Sequence, residues 1–165
     1  LISARITKGD EQIIVTTTEG KAIAFEESQI RQTGRNTMGV KAMDISDTDG
    51  IISMEVVEDD KCLLVITENG YGKRTCIGEY KIQSRGGKGV KTYNISDQTG
   101  QIAGARLVAE DDQIMIINSD GTMIRMEVSQ IPKLNRVTKG VKLMKSIDSK
   151  IVSFERIESN GEEEE

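Results

Sequence analysis

The sequence predicts an all-β fold, a propeller-like array of three four-stranded blades of about 50 residues each. Three observations predict it. Turn glycines recur at Gly20, Gly70 and Gly121, at steps of 50 and 51 residues. The triplets Gly39-Val40-Lys41, Gly89-Val90-Lys91 and Gly140-Val141-Lys142 keep the same step, as do Arg35, Arg85 and Arg136. Within each repeat the apolar pattern has the period of strands, and no long stretch keeps a 3.6-residue period.

Each element follows from this register. Gln12–Thr17 is apolar and β-branched, and Thr18-Glu19-Gly20 turns it into the alternating Lys21–Glu26. The second hairpin turns at Glu68-Asn69-Gly70 and the third at Ser119-Asp120-Gly121, where Asn-Gly and Asp-Gly supply positive φ. Further strands are expected at Val40–Ile45 and Ile51–Val57, and in the next unit at Val90–Ile95 and Ile102–Val108. The opening Leu1–Lys8 aligns with Ile51–Glu58 and reads as the last strand of a preceding blade. The expected organisation is a stray strand at 1–9, blades at 10–59, 60–110 and 111–158, and an acidic disordered tail at 159–165. Closed radial arrays take about four to eight blades, so three imply an arc of a larger ring or an open solenoid.

Composition removes several function classes. The chain has 165 residues, no His and two Cys. Without His, the commonest general base and metal ligand is missing. Cys62 and Cys76 lack CxxC spacing and read as reduced intracellular thiols, with Cys62 in the core. Asp47-Thr48-Asp49-Gly50 resembles the start of a calcium loop, but the downstream ligand spacing fails, and a plain turn is expected. Neither a membrane span nor a secretory leader is legible, and the start at Leu1 gives the expectation of a piece of a longer chain.

Charge is the informative feature. The net charge is -5, from 22 Lys+Arg and 27 Asp+Glu, yet the bases are bunched. Between Tyr71 and Lys91 stand Lys73, Arg74, Lys81, Arg85, Lys88 and Lys91 against Glu79 alone. Between Ile131 and Ile147 stand Lys133, Arg136, Lys139, Lys142 and Lys145 with no acid, and the first unit carries Arg31, Arg35 and Lys41. A basic segment at one point of every blade becomes a stripe along one edge, which suits a phosphate backbone. Two Phe and three Tyr leave few stacking platforms for single strands, so backbone contact with a duplex is the expectation. A solvated face and a propeller-type protein-interaction module are the alternatives. In Gln83-Ser84-Arg85-Gly86-Gly87-Lys88-Gly89, glycines beside cations are expected to let backbone amides approach phosphates.

At Glu68-NGYGKRT, Lys81-IQSRGGKGVK, Arg35-NTMGVKAM and Asp112-QIMIINSDGTMIRMEVSQI the sequence resembles the C-terminal domain family of bacterial DNA gyrase A. The resemblance covers essentially the whole chain. It implies the last three blades of a six-bladed β-pinwheel whose blades exchange a strand and whose basic perimeter wraps DNA. It further implies a non-catalytic role, bending duplex so that ATP-dependent strand passage introduces negative supercoils. The equivalent domain of DNA topoisomerase IV is the alternative within the superfamily. The family's glycine box belongs to its first blade, so Gln83–Gly89, with Ser84 in place of an Arg, is a box-like loop. The family's catalytic tyrosine lies in another region, so Tyr71, Tyr80 and Tyr93 do not inherit that role.

The expected DNA-contacting residues are Arg35, Lys41, Lys73, Arg74, Arg85, Lys88, Lys91, Arg136, Lys139 and Lys142. No metal or cofactor is expected for this stretch; the parent enzyme is implied to use ATP and magnesium through other domains. Implied partners are double-stranded DNA read without sequence specificity, the N-terminal region of gyrase A, and gyrase B, in the bacterial cytoplasm at the nucleoid. An open strand edge at Leu1 also suggests strand exchange between copies.

Overall fold

In the computed structural model, residues 1–145 and 148–158 are described; the expected tail at 159–165 lies outside them. Eleven strands follow one another among these residues: β1 (Gln12–Thr17), β2 (Lys21–Glu26), β3 (Ile51–Val56), β4 (Cys62–Thr67), β5 (Tyr71–Cys76), β6 (Val90–Lys91), β7 (Ile102–Val108), β8 (Gln113–Asn118), β9 (Met123–Glu127), β10 (Val141–Lys142) and β11 (Ile151–Ile157). They form antiparallel sheets in the orders β3-β1-β2-β6, β10-β5-β4-β7 and β11-β8-β9. The hairpins stand where the alternating pattern placed them. In each, positive φ falls on the glycine alone, at +86°, +85° and +84° for Gly20, Gly70 and Gly121. Asn69 and Asp120 keep negative φ, so these are three-residue turns closed by the glycine.

The sequence repeat and the sheet do not coincide. β6 belongs to the second unit but pairs with β2 of the first, and β10 of the third unit pairs with β5 of the second. Each unit thus supplies a hairpin and an inner strand to its own sheet, and the second and third units each send an arm to the preceding one. The expected strand at Val90–Ile95 shortens to the two residues of β6. The expected strand at Val40–Ile45 is absent, because among the described residues its arm finds no preceding hairpin edge to extend. Ala42 and Asp44 instead exchange backbone hydrogen bonds with Gly86 and Gly87 of the next arm, both at 2.8 Å. The opening Leu1–Lys8 is not a strand either; it lies along β3 through Ser3 and Arg5.

The core follows the stacking of the sheets. β4 is buried at all six positions because it is the middle layer. Leu63 and Val65 face the first sheet, packing with Ile14, Ala22, Ala24 and Tyr93, while Leu64 and Ile66 join Ile114, Ile116, Ile131 and Phe154 of the third. This near-continuous apolar run is what two buried faces demand. Ile13, Val15, Ile23 and Phe25 form a third cluster, on the other side of the first sheet, closed by Met43. Cys62 is buried and Cys76 exposed, both free thiols, with their sulfurs 3.6 Å apart across paired strands. No helix among the described residues is long and apolar enough to cross a membrane.

The strand order fixes an inside and an outside. β3 packs beside β7, and β7 beside β11, so these strands form a hub. In the two four-stranded sheets β6 and β10 stand at the edge farthest from it.

Candidate nucleic-acid interface

The basic segments ride on the arms, and the arms are seated by glycine. A Cβ on Gly89 would lie 2.4 Å from the Ala22 carbonyl oxygen, and one on Gly140 would lie 2.4 Å from that of Gly72. Both glycines also hold positive φ, at +67° and +71°, where L side chains are strained. Gly39, at the same repeat position in the first arm, has nothing within 4 Å.

A repeated arginine ties one arm to the next. Arg85 donates to the carbonyl oxygens of Gln29 (3.2 Å) and Lys41, and Arg136 donates to that of Lys91 at 3.0 Å. Lys41 and Lys91 hold equivalent places, so the same contact occurs twice. Each arginine spends part of its fork on a neighbouring backbone and spaces the cations of successive arms.

The lysines beside them point outward. Lys88, Lys91, Lys139 and Lys142 are exposed, as are Lys41 and Arg35 of the first arm. Lys91 donates to Asn94 Oδ1 at 3.2 Å and Lys139 to Gln98 Oε1 at 3.1 Å. Lys142 donates to the Asn69 carbonyl at 3.0 Å and lies 4.9 Å from the centre of the Tyr71 ring. These neutral partners leave the charges uncancelled. Lys41 differs, paired with Asp44 at 2.7 Å, and its ammonium leads the causes holding that carboxyl below its usual range. Lys21, absent from the sequence-based set, stands opposite Lys91 in the β2–β6 ladder. Only the exchange between units brings those two lysines together, so no local signal could have nominated the pair.

Two of the expected contacts lie elsewhere. Lys73 and Arg74 are buried, 0% and 3% exposed, and so cannot meet a phosphate. Lys73 donates to the carbonyls of Asn135 (2.6 Å) and Arg136, with its Nζ 5.3 Å from the centre of the Tyr93 ring. Arg74 donates through Nε to the Ile131 carbonyl at 2.7 Å and through its fork to Glu110 at 2.7 Å and the Ser129 carbonyl at 3.4 Å. They clamp the third arm onto β5. The physical reason is that the arm's carbonyls, arriving without strand partners, need donors.

The box-like loop also differs from expectation. The Gly86 amide donates to the Ala42 carbonyl at 2.8 Å, and the Arg85 amide to Gln29 Oε1 at 2.7 Å. Those amides are engaged by the neighbouring arm and closed to phosphates. Of the loop's glycines, Gly89 is the one packed tightly against another strand, and Lys88 is the cation the loop holds out to solvent. Asp49, in the calcium-like turn, accepts on Oδ1 from Thr18 Oγ1, the Glu19 amide and the Gly50 amide, and so ties that turn to the first hairpin.

Acid should loosen the third arm. Hydrogen bonds from Arg74 and Lys133, the latter at 2.7 Å, hold the Glu110 carboxyl down at about 2 from an ordinary 4.5. Because this pKa is lowered by folding, the stabilisation is fully present above about 4.5 and is lost as pH falls toward 2. A Glu110→Gln variant is expected to show a flatter fall in melting temperature than wild type across that window, read by circular dichroism. Parallel curves would show that Glu110 does not hold the arm.

Stacked antiparallel sheets with exchanged edge strands and a lysine-lined outer rim define a propeller-like module built to present cations at its perimeter. A family model described as the DNA gyrase C-terminal domain, a β-propeller, matches residues 11–58, 63–109 and 112–158, and the chain belongs to that family. Its sequence is 45% identical over 165 residues to the DNA gyrase A protein of Clostridium acetobutylicum, covering 99% of this chain and 20% of that protein. It is 39% identical over 155 residues to the gyrase A of Staphylococcus epidermidis, covering 93% and 17%. Against the gyrase A of Escherichia coli K12 it is 37% identical over 166 residues, covering 100% and 19%. The chain therefore spans no more than about a fifth of these relatives. Among solved structures, a DNA gyrase A C-terminal domain superposes with TM-score 0.85 at 28% identity, over 92% of this chain and 52% of that one. A topoisomerase IV C-terminal domain superposes with TM-score 0.89 at 22% identity, over 94% and 49%, a likeness of fold.

Proposed function

We propose that this chain is a non-catalytic DNA-binding and DNA-wrapping element of a gyrase A protein. It holds double-stranded DNA by its backbone, without reading sequence, and curves it around the rim. The observation that carries this reading is the outward lysine set Lys88, Lys91, Lys139 and Lys142, borne on the outermost strands and arms of successive sheets. Cations repeated in phase along a curved edge meet phosphates at intervals, and each phosphate neutralised releases condensed counterions. Bending about 20–30 bp costs about 1–6 kcal/mol, offset by contacts that the bend allows. The few exposed aromatics and the absence of His agree with backbone contact over base stacking or proton transfer. In the parent enzyme the curved segment would be handed to the cleavage region of gyrase A, with ATP and magnesium used by other domains and by gyrase B. The setting of that work is the bacterial cytoplasm, at the nucleoid.

The test is affinity for a duplex of about 40 bp across a salt series. Wild type is expected to weaken steeply with salt, with a slope of about −0.9 in log–log form per phosphate met. The Lys88→Glu/Lys91→Glu/Lys139→Glu/Lys142→Glu variant should bind at least about a hundredfold more weakly at 0.1 M salt, with a slope shallower by about 3–4. Equal affinity and slope for the two proteins would place the DNA track off this rim.

A further inference from the structure

The hub carries a charge pattern that the rim does not explain. The alignment of Leu1–Lys8 with Ile51–Glu58 puts Arg5 and Glu55 at one repeat position. The register of the inner strands extends it, since Glu55, Arg106 and Glu155 face Ile14, Leu64 and Met115, which are themselves equivalent. The signs along this position therefore alternate: positive, negative, positive, negative.

In space the four residues form a continuous ladder. Arg5 Nη2 stands 3.2 Å from both oxygens of Glu55. Arg106 reaches Glu55 at 3.5 Å with Nη1 and Glu155 at 3.6 Å with Nη2. Glu55 thus bridges two guanidinium groups, and Arg106 bridges two carboxylates. Their side-chain exposures are 12% for Glu55 and 28% for Arg106, against 62% for Glu155, which among the described residues has a ladder partner on one side only.

The same end of the molecule carries a free sheet edge. Among the described residues β9 receives no arm, and its exposed Arg125 is the counterpart of the buried Arg74. Gly121 has nothing within 4 Å, whereas Gly20 and Gly70 touch the arm residues Tyr93 and Met144.

We propose that this hub position is a sorting rule for neighbouring units. Units sit side by side when their ladder residues are opposite in sign, and Glu155 together with the β9 edge takes a further β unit bearing Lys or Arg at that place. A second copy of this chain meets the rule only through its Leu1–Lys8 segment, which carries Arg5 at the ladder place; its first complete unit would bring Glu55 against Glu155. Like charges held that close cost energy, and the hub's partial burial reduces screening of the repulsion. A single surface ion pair contributes little, but a ladder in which each inner member has two partners couples the units.

The rule is tested by charge inversion read by thermal unfolding, with no DNA present, so the outcome is independent of the rim. Glu55→Arg alone loses two partners and gains two like charges, and should melt roughly 4–8 °C lower. The swap Glu55→Arg/Arg106→Glu restores the middle pair but leaves a like-charged contact at each end, and should stay low. The full inversion Arg5→Glu/Glu55→Arg/Arg106→Glu/Glu155→Arg rebuilds the alternation and should return to within about 2 °C of wild type. Full recovery by the swap alone, or a full inversion as unstable as the single variant, overturns the ladder. The partner is tested with a synthetic peptide of residues 1–11, followed by backbone amide shifts. Wild-type peptide at millimolar concentration should move the amides around Glu155, and peptide carrying Arg5→Glu should not. Equal shifts from both, or none from either, overturn the docking preference.

Discussion

Replacing Gly140 by valine is expected to detach the third arm and lower the melting temperature by more than about 10 °C. Gly140 holds φ at +71°, a region that costs a residue bearing Cβ about 1–2 kcal/mol before any contact is counted. The added Cβ would then stand 2.4 Å from the Gly72 carbonyl oxygen and 2.8 Å from the Tyr93 hydroxyl. Neither is the loose end of a flexible chain: one is backbone of β5, and the other is the hydroxyl of a buried ring that donates to the Lys139 carbonyl. The arm must leave, exposing Leu64, Ile66 and their neighbours under Ile131 and Met144. Gly39→Val is the matched control. It occupies the same repeat position with nothing within 4 Å, and should shift the melting temperature by no more than about 2 °C. Equal losses from both variants would mean that the seat of the arm is not the cause.

Lys73→Ala is expected to separate stability from DNA affinity. The substitution removes a buried ammonium, leaves the Asn135 and Arg136 carbonyls without their donor, and opens a cavity beside Tyr93. A loss of about 2–5 kcal/mol is the expected scale, from the unsatisfied carbonyls and the cavity. The slope of DNA affinity against salt, measured below the melting temperature, should not change, because this charge faces no solvent. A slope shallower by about 0.9 would restore Lys73 to the rim. Its titration offers a second readout. Burial lowers the Lys73 pKa from 10.5 to about 8, so the unfolded chain binds the extra proton between those values. Wild-type stability relative to Lys73→Ala should therefore rise with pH from about 8 to 10.5. A constant difference across that range would mean the ammonium is held as firmly in the fold as in water.

What could be read from the sequence was whatever depends on near neighbours. The strands Gln12–Thr17, Lys21–Glu26 and Ile102–Val108 were legible because alternation and turn glycines act within about ten residues. The bunching of bases at one place in each repeat was legible for the same reason. The fate of each base was not. Lys73 and Arg74 read from their place in the repeat as DNA-contacting cations, yet β5 is buried from Gly72 to Thr75. The covering arm comes from about 60 residues further along the chain, as in the Lys73–Asn135 contact.

Exposure of Lys88, Lys91, Lys139 and Lys142, and burial of Lys73 and Arg74, were set by that long-range docking. So were the shortened strands at Val90–Lys91 and Val141–Lys142, which exist only where a neighbouring edge receives them. The sequence by itself determined the repeat, the hairpins and the number of bases each arm carries. Only the tertiary structure decided which sheet each arm completes, and thereby which cations clamp and which face outward. The reason is that a carbonyl arriving from a distant unit must find a donor, and nothing local says which lysine will be underneath it.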